Sequence, residues 1–62
     1  MIWKKKKIRI EITEDPKIKG WLSVQYIKND EITYSYTIID SDLKSWITYQ
    51  ENNGWKRQIE QV

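Results

Sequence analysis

Residues 21–39, WLSVQYIKNDEITYSYTII, read as two β-strands joined by a tight turn at residues 28–31. Apolar and aromatic side chains alternate with polar ones along both arms, which is the period-two pattern of half-buried strands. The alternating residues are Leu22, Val24 and Tyr26 on the first arm and Ile32, Tyr34, Tyr36 and Ile38 on the second. The stretch therefore predicts a β-hairpin, and the other segments are predicted to lie beside it or over it.

The turn of this hairpin poses a problem of register. A two-residue loop at Asn29-Asp30 would place the apolar positions of one arm opposite polar positions of the other, since a slip of one residue exchanges the two faces of a strand. A three-residue loop, or a bulge near Asn29 or Asp30, removes the conflict, and both residue types tolerate the left-handed backbone that such turns require. We therefore expect an irregularity at the turn that puts Val24 and Tyr34 on one face.

The N-terminal part of the chain predicts one more strand. In residues 7–13, KIRIEIT, three isoleucines alternate with charged residues. Pro16 then marks a turn, because proline cannot continue a strand ladder and restricts the residue before it. The expected sheet is a three-stranded antiparallel meander with strands at residues 3–13, 18–28 and 31–39.

A short helix is predicted after the meander. Leu43, Trp46 and Ile47 have the spacing of one helix face, and Ser41 or Asp42 is expected to cap its first turn. The pair at residues 53–54, Asn-Gly, predicts a left-handed stop. The tail at residues 55–62 fits a strand or a helix, and we expect a fourth strand beside the first or the third. The predicted fold is a single small α+β domain over residues 1–62, with the helix packed on one face of the sheet.

Size and composition restrict the function. A chain of 62 residues buries only about 60% of the surface that its unfolded form exposes, and such domains rely on disulfides, metals or association. The sequence contains no cysteine and no histidine, so it lacks disulfides, the commonest metal ligands and the commonest general base. We therefore expect no catalytic residues, no metal and no cofactor, and we expect association with another chain.

The sequence also predicts a location. Four lysines at residues 4–7 are followed by Arg9 and Glu11 instead of an apolar segment, so no secretory leader or membrane partner is expected. The expected location is the cytoplasm, which would be the host cytoplasm if the protein is viral.

The predicted strand parity leaves an apolar group on the face opposite the helix. Exposed patches of this kind mark interaction sites, and tryptophan is a frequent energetic anchor in them. The candidate interface residues are Trp3, Trp21, Ile27 and Ile39.

A second candidate site is electrostatic. Residues 1–20 contain seven basic and three acidic side chains, whereas residues 21–42 contain one basic and four acidic ones. Lysines neutralise phosphates and exposed aromatic rings stack on bases, so a basic strand points to nucleic acid. The candidate nucleic-acid contacts are Lys4, Lys5, Lys6, Lys7 and Arg9.

Two functions follow from these surfaces. The first is a small non-enzymatic protein-interaction module that forms a homodimer and binds a further protein, without a small-molecule substrate. Its size and aromatic composition are typical of phage or mobile-element inhibitors that occlude a host protein. The alternative is a small nucleic-acid-binding protein that uses the basic N-terminal strand.

Overall fold

One antiparallel sheet of five strands forms the computed structural model, which describes residues 1–58. A 3-10 turn (Asp40–Asp42) leads from the fourth strand into α1 (Leu43–Asn52), the one α-helix among these residues. The strands are β1 (Ile2–Lys5), β2 (Ile8–Glu14), β3 (Trp21–Lys28), β4 (Glu31–Ile39) and β5 (Lys56–Gln58). The spatial order is β4-β3-β2-β1-β5, so β4 and β5 are the two edges.

The predicted α+β class is confirmed, but the predicted number of strands is too small. The single strand expected over residues 3–13 is a hairpin, in which Lys5 pairs with Ile8 around a loop of Lys6 and Lys7. Lys6 adopts the left-handed backbone with φ 56°, a conformation that glycine or asparagine usually supplies. A run of four lysines carries no turn signal, and this is why the sequence pattern concealed the break.

The tail returns to the sheet as one of the two expected alternatives. Residues 56–58 pair antiparallel with β1, which makes them the neighbour of the first strand. The remainder of that prediction, at residues 59–62, lies outside the described residues.

The β3–β4 hairpin contains the expected irregularity at a different place. Its loop is the two-residue Asn29-Asp30, with φ 52° and 63°, the left-handed values of the turn type that suits a twisted hairpin. The register shifts farther along, where Tyr26 pairs with Tyr34 and Thr33 is the extra residue. The Thr33 hydroxyl donates a hydrogen bond to the Tyr26 carbonyl at 3.2 Å. The bulge therefore lies within β4. It has the expected effect of bringing Val24 and Tyr34 to one face, but it leaves Ile32 on the opposite face, beside Ile27.

The core lies between the sheet and α1. Trp3 is fully buried, its ring meets the Trp46 ring edge-on at 5.0 Å, and its Nε1 donates to the Glu51 carboxylate at 3.1 Å. Burial of a large apolar side chain contributes about 1.5–3 kcal/mol to the free energy of folding. Because a helix of this length is not stable alone in water, it depends on packing against the sheet to remain folded. The buried cluster consists of Trp3, Ile10, Ile12, Leu22 and Val24, with Leu43, Trp46, Ile47 and Trp55 among the partly buried residues packed against it.

The two ends of the helix differ in how well they were predicted. Gly54 has φ 95° and provides the left-handed stop, and the Trp55 amide donates to the Gln50 carbonyl at 3.1 Å. At the start, neither Ser41 nor Asp42 makes the predicted side-chain cap. The 3-10 turn takes over this role, because the Leu43 amide donates to the Asp40 carbonyl.

Candidate interaction surface

Among the described strands, β4 has the longest outer edge that no other strand pairs with. Among residues 1–58, no strand pairs with its outer side. Edge strands are usually protected by lysine, proline or a bulge, because their free amides and carbonyls pair readily with another chain. Over nine residues β4 contains one charged side chain, Glu31, no proline and no lysine. Its protection is limited to the bulge at Thr33.

An apolar corner adjoins the end of this edge. It consists of Ile18, Trp21 and Ile39, whose exposed fractions are 53%, 36% and 42%. Trp21 and Ile39 are cross-strand partners, and the Trp21 amide donates to the Ile18 carbonyl at 3.4 Å. An open depression of about 810 Å³ beside Trp21 is lined by residues 14–22 and Asp40. The apolar corner and the β4 edge share Ile39, so they form one continuous surface.

Three of the four predicted interface residues lie on the expected face of the sheet, and Trp3 does not. Trp21 and Ile39 are partly exposed on the face that the helix leaves uncovered. The predicted exposure of Trp3 is wrong, because the turn at residues 6–7 reverses the parity of β1 and carries its indole under the helix. Ile27 does lie on the uncovered face, but it is only 7% exposed between its cross-strand neighbours Arg9 and Ile32.

The five predicted nucleic-acid contacts do not form one strip. Lys4 and Arg9 are cross-strand partners on the uncovered face, and Lys6 and Lys7 form the tip of the first hairpin. Lys5 lies on the helix side, where its Nζ donates to the Asn53 carbonyl at 2.9 Å and lies 6.0 Å from the centroid of a tryptophan ring. Successive lysines of a strand point to opposite faces, so a run in the sequence is divided in the fold.

The sheet adds a cation that the sequence pattern did not reveal. Lys56 pairs directly with Lys4, so a row of three basic residues crosses the uncovered face from β5 through β1 to Arg9. Arg9 is already engaged, since its Nε lies 2.7 Å from the Glu11 carboxylate and its Nη1 lies 3.6 Å from Asp30. The hydrogen bond to Glu11 raises the pKa of the Arg9 guanidinium. Only the placement of the tail beside β1 could have indicated this row.

On the helix side, aromatic rings extend from the core to the β4 edge. The Tyr26 ring centroid lies 5.9 Å from that of Tyr34 and 5.9 Å from that of Trp55. The Tyr36 hydroxyl accepts a hydrogen bond from Trp46 Nε1 at 2.8 Å and lies 3.3 Å from the Tyr26 hydroxyl. The alternation of the sequence predicted the shared face of these tyrosines but not their contacts.

Burial and hydrogen bonding affect the ionisation of the innermost tyrosine, Tyr26. Burial, followed by the hydrogen bond with Tyr36, raises the pKa of the Tyr26 phenol well above its usual value. Tyr34, by contrast, is 60% exposed at the edge. The aromatic group therefore has a fixed inner part and a solvent-facing outer ring.

The carboxylates with identified contacts hold local structure. Asp15 Oδ1 accepts from the amides of Lys17 and Ile18, at 2.8 and 3.3 Å, and shapes the loop before β3. Glu51 accepts from the core indole and Glu11 from the guanidinium described above. Within residues 1–58 there is no group of three side chains with the chemistry to hold a metal ion. That part of the chain also has no helix with the length and apolar character of a membrane span.

Comparisons with protein-family models, with curated proteins and with solved structures find no match to this chain. The functional argument therefore rests on the surfaces themselves.

Proposed function

We propose that this chain is a non-enzymatic protein-interaction module that works as a homodimer and occludes the surface of a host protein, as small phage or mobile-element inhibitors do. The observation that carries the proposal is the outer edge of β4, which no strand within residues 1–58 pairs with and which is continuous with the apolar corner. An open edge supplies backbone hydrogen bonds to a partner strand, and apolar side chains beside it supply buried area.

Self-association is supported by the size of the core. Five apolar side chains form the buried cluster, and a single core in a chain of this length supplies only about 3–5 kcal/mol. Pairing of two copies would add an interface without disulfides or metals. Two-fold symmetric dimers are the commonest solution among soluble oligomers.

Binding to a further protein is supported by Trp21. Its indole is partly exposed beside a depression, next to two other exposed apolar residues, Ile18 and Ile39. Tryptophan is enriched among the residues that contribute most to binding energy. Occlusion of a partner requires only such a surface and no catalytic carboxylate. The carboxylates that have identified contacts in this structure have structural roles.

A comparison of three tagged proteins tests this proposal in lysate of the producing cells. Trp21→Ala should lose a discrete partner that the wild type retains after nuclease treatment and at moderate salt, because an apolar contact is weakly screened. Tyr49→Ala is the matched control, since Tyr49 is 66% exposed on the helix and belongs to neither part of the surface. Equal retention by all three proteins would contradict the assignment of the apolar corner, and self-association is tested separately below.

A second function, nucleic-acid binding, is favoured by one observation. Lys4 and Lys56 face each other directly across two strands, and like charges in that position are destabilising unless an anion lies between them. Lys6 at the nearby tip keeps a left-handed backbone that glycine would adopt more readily. Phosphate groups would relieve the repulsion between the lysines.

Titration of labelled single-stranded and double-stranded oligonucleotides at increasing salt tests the second function. Binding through phosphates would weaken steeply with salt, and Lys4→Gln with Lys56→Gln would reduce the slope. Lys19→Gln is the control, because Lys19 lies in the loop at the opposite end of the sheet. Absence of salt-sensitive binding by the wild type would remove this function.

A further inference from the structure

The central part of β4 reads the same in both directions. From Ile32 to Ile38 the sequence is ITYSYTI, which is symmetric about Ser35. The segment lies on the outer edge of β4, which no strand within residues 1–58 pairs with, so a second strand has access to the backbone. The β4 strand of an antiparallel second copy runs in the opposite direction. Because the segment is symmetric, the two strands would have the same residue order along their shared edge.

We infer that two copies of this chain pair antiparallel through β4 about a two-fold axis at Ser35, forming one continuous ten-stranded sheet. This inference rests on the homodimer proposed above and specifies its interface and register. The occupant of the open edge is a second copy because the symmetric sequence is complementary to itself.

Geometry restricts the register to a few choices. A two-fold axis that relates antiparallel edge strands is perpendicular to the sheet, so it keeps each side chain on its own face. Residues directly opposite each other must therefore belong to the same face. Because consecutive residues point to opposite faces, one residue of β4 must lie opposite its own copy, and the axis passes at that residue. Among these choices, an axis at Ser35 pairs Tyr34 with the partner's Tyr36 and Thr33 with the partner's Thr37.

These pairs are favourable ones. Aromatic pairs and threonine pairs across antiparallel strands each stabilise a sheet, and the pairing of Tyr34 with the partner's Tyr36 occurs twice in the dimer. Tyr36 is held in place by Trp46 and Tyr26, so it offers an ordered surface to the exposed ring of Tyr34. Both rings lie on the helix side, where they would extend the aromatic group of each copy across the interface.

The bulge sets the length of the ladder. The pairing of β4 with β3 is regular from Tyr34 to Ile39, and Thr33 is the bulged residue. Because of the bulge, Ile32 lies on the opposite face from Ile38 and cannot pair with the partner's Ile38. The inferred contact therefore extends no farther than residues 33–37 of each copy, with Ser35 at its centre on the uncovered face. Charged residues stay out of this contact, since the one charge of β4 is at Glu31.

Single cysteines test the register directly, because the chain contains no native cysteine. Opposite residues of antiparallel strands have Cα atoms about 4.5–5.5 Å apart, within the range of a disulfide. Ser35→Cys should therefore form a covalent dimer under mild oxidation. Thr37→Cys should not, because the two copies of residue 37 would lie about 14 Å apart at a rise of about 3.4 Å per residue. A mixture of Thr33→Cys and Thr37→Cys should form the mixed dimer.

Ser45→Cys, on the exposed side of α1, measures random collision. Ser35→Cys should cross-link at least about tenfold faster than this control, because residues held opposite each other have a far higher effective concentration. Equal rates in a protein that sediments as a dimer would overturn the Ser35 register and leave the homodimer standing. A wild-type protein that stays monomeric at millimolar concentration would overturn both.

Discussion

Trp3 and Trp21 have opposite environments although both stand at odd positions in predicted strands. Trp3 is fully buried beneath the helix, whereas Trp21 is 36% exposed at the apolar corner. The difference arises from the two-residue turn at Lys6-Lys7, which reverses the parity of β1 relative to β2. A single turn thus decides whether an indole holds the core or is available to a partner.

Truncation of each tryptophan should separate these roles. Trp3→Ala removes the largest side chain of the core and should cost about 3–5 kcal/mol, enough to unfold a domain of this size. Trp21→Ala should cost about 1 kcal/mol and leave the protein folded. Urea denaturation followed by circular dichroism measures both. A folded Trp3→Ala protein would contradict the position of Trp3 in the core.

The raised pKa of Tyr26 predicts a loss of stability in alkali. The usual tyrosine pKa is 10.0, and burial shifts the folded value upward, so the folded state binds its proton more tightly than the unfolded state. The stabilisation is complete below pH 10.0 and is lost as the pH rises through the folded pKa. Urea midpoints measured from neutral to alkaline pH should fall less in Tyr26→Phe than in the wild type. Parallel curves for the two proteins would show that Tyr26 is not shielded.

At the scale of the elements, alternation predicted more than turn chemistry did. The apolar periods of β3 and β4 and the helix stripe at Leu43, Trp46 and Ile47 are strong patterns, because half-buried elements require them. The stop at Gly54 was predictable for the same physical reason that glycine is favoured at positive φ. These features were sufficient for the fold class.

The turn at residues 6–7 was not predictable in the same way, and the register conflict predicted a bulge in this hairpin but not its position at Thr33. Lys6 adopts a left-handed backbone for which lysine has no preference. The pairing of β1 with β2 and β5 must therefore offset the free-energy cost of this conformation. The bulge is accompanied by a hydrogen bond between Thr33 and the Tyr26 carbonyl, a contact between strands that no local pattern records. Two residues of the apolar corner, Trp21 and Ile39, could be predicted without the exact position of the bulge, because they pair at the end of the hairpin farthest from the turn.

Charges at the centre of β4 should control dimerisation. Ser35→Lys would place two lysines opposite each other at the two-fold axis and weaken the homodimer about five- to tenfold, and Ser35→Glu should do the same. Residue 35 is exposed in the single chain, so both variants should fold. Mixing the two variants should restore dimers, because each lysine then faces a glutamate. A mixture no more dimeric than either variant alone would contradict an axis at Ser35.

The whole molecule has its charges and its apolar surface at different places. The hairpin tip at residues 6–7 and the Lys4–Lys56 pair form a basic region, and the apolar corner lies at the opposite end of the sheet near Asp15 and Asp40. A β4–β4 dimer leaves the basic strands β1 and β5 far from the axis, because they lie at the other side of the sheet. The proposed dimerisation would therefore bring together a part of the molecule with few charges and keep like charges apart.

Sedimentation equilibrium from micromolar to millimolar concentration, with the wild type and Ser35→Lys in parallel, tests the central claim most directly. Wild-type protein should shift from a chain mass of 7.6 kDa toward twice that value as the concentration rises, and Ser35→Lys should shift only at higher concentration. A wild type that remains at 7.6 kDa throughout would contradict self-association through β4. A dimer that Ser35→Lys leaves unchanged would place the interface elsewhere.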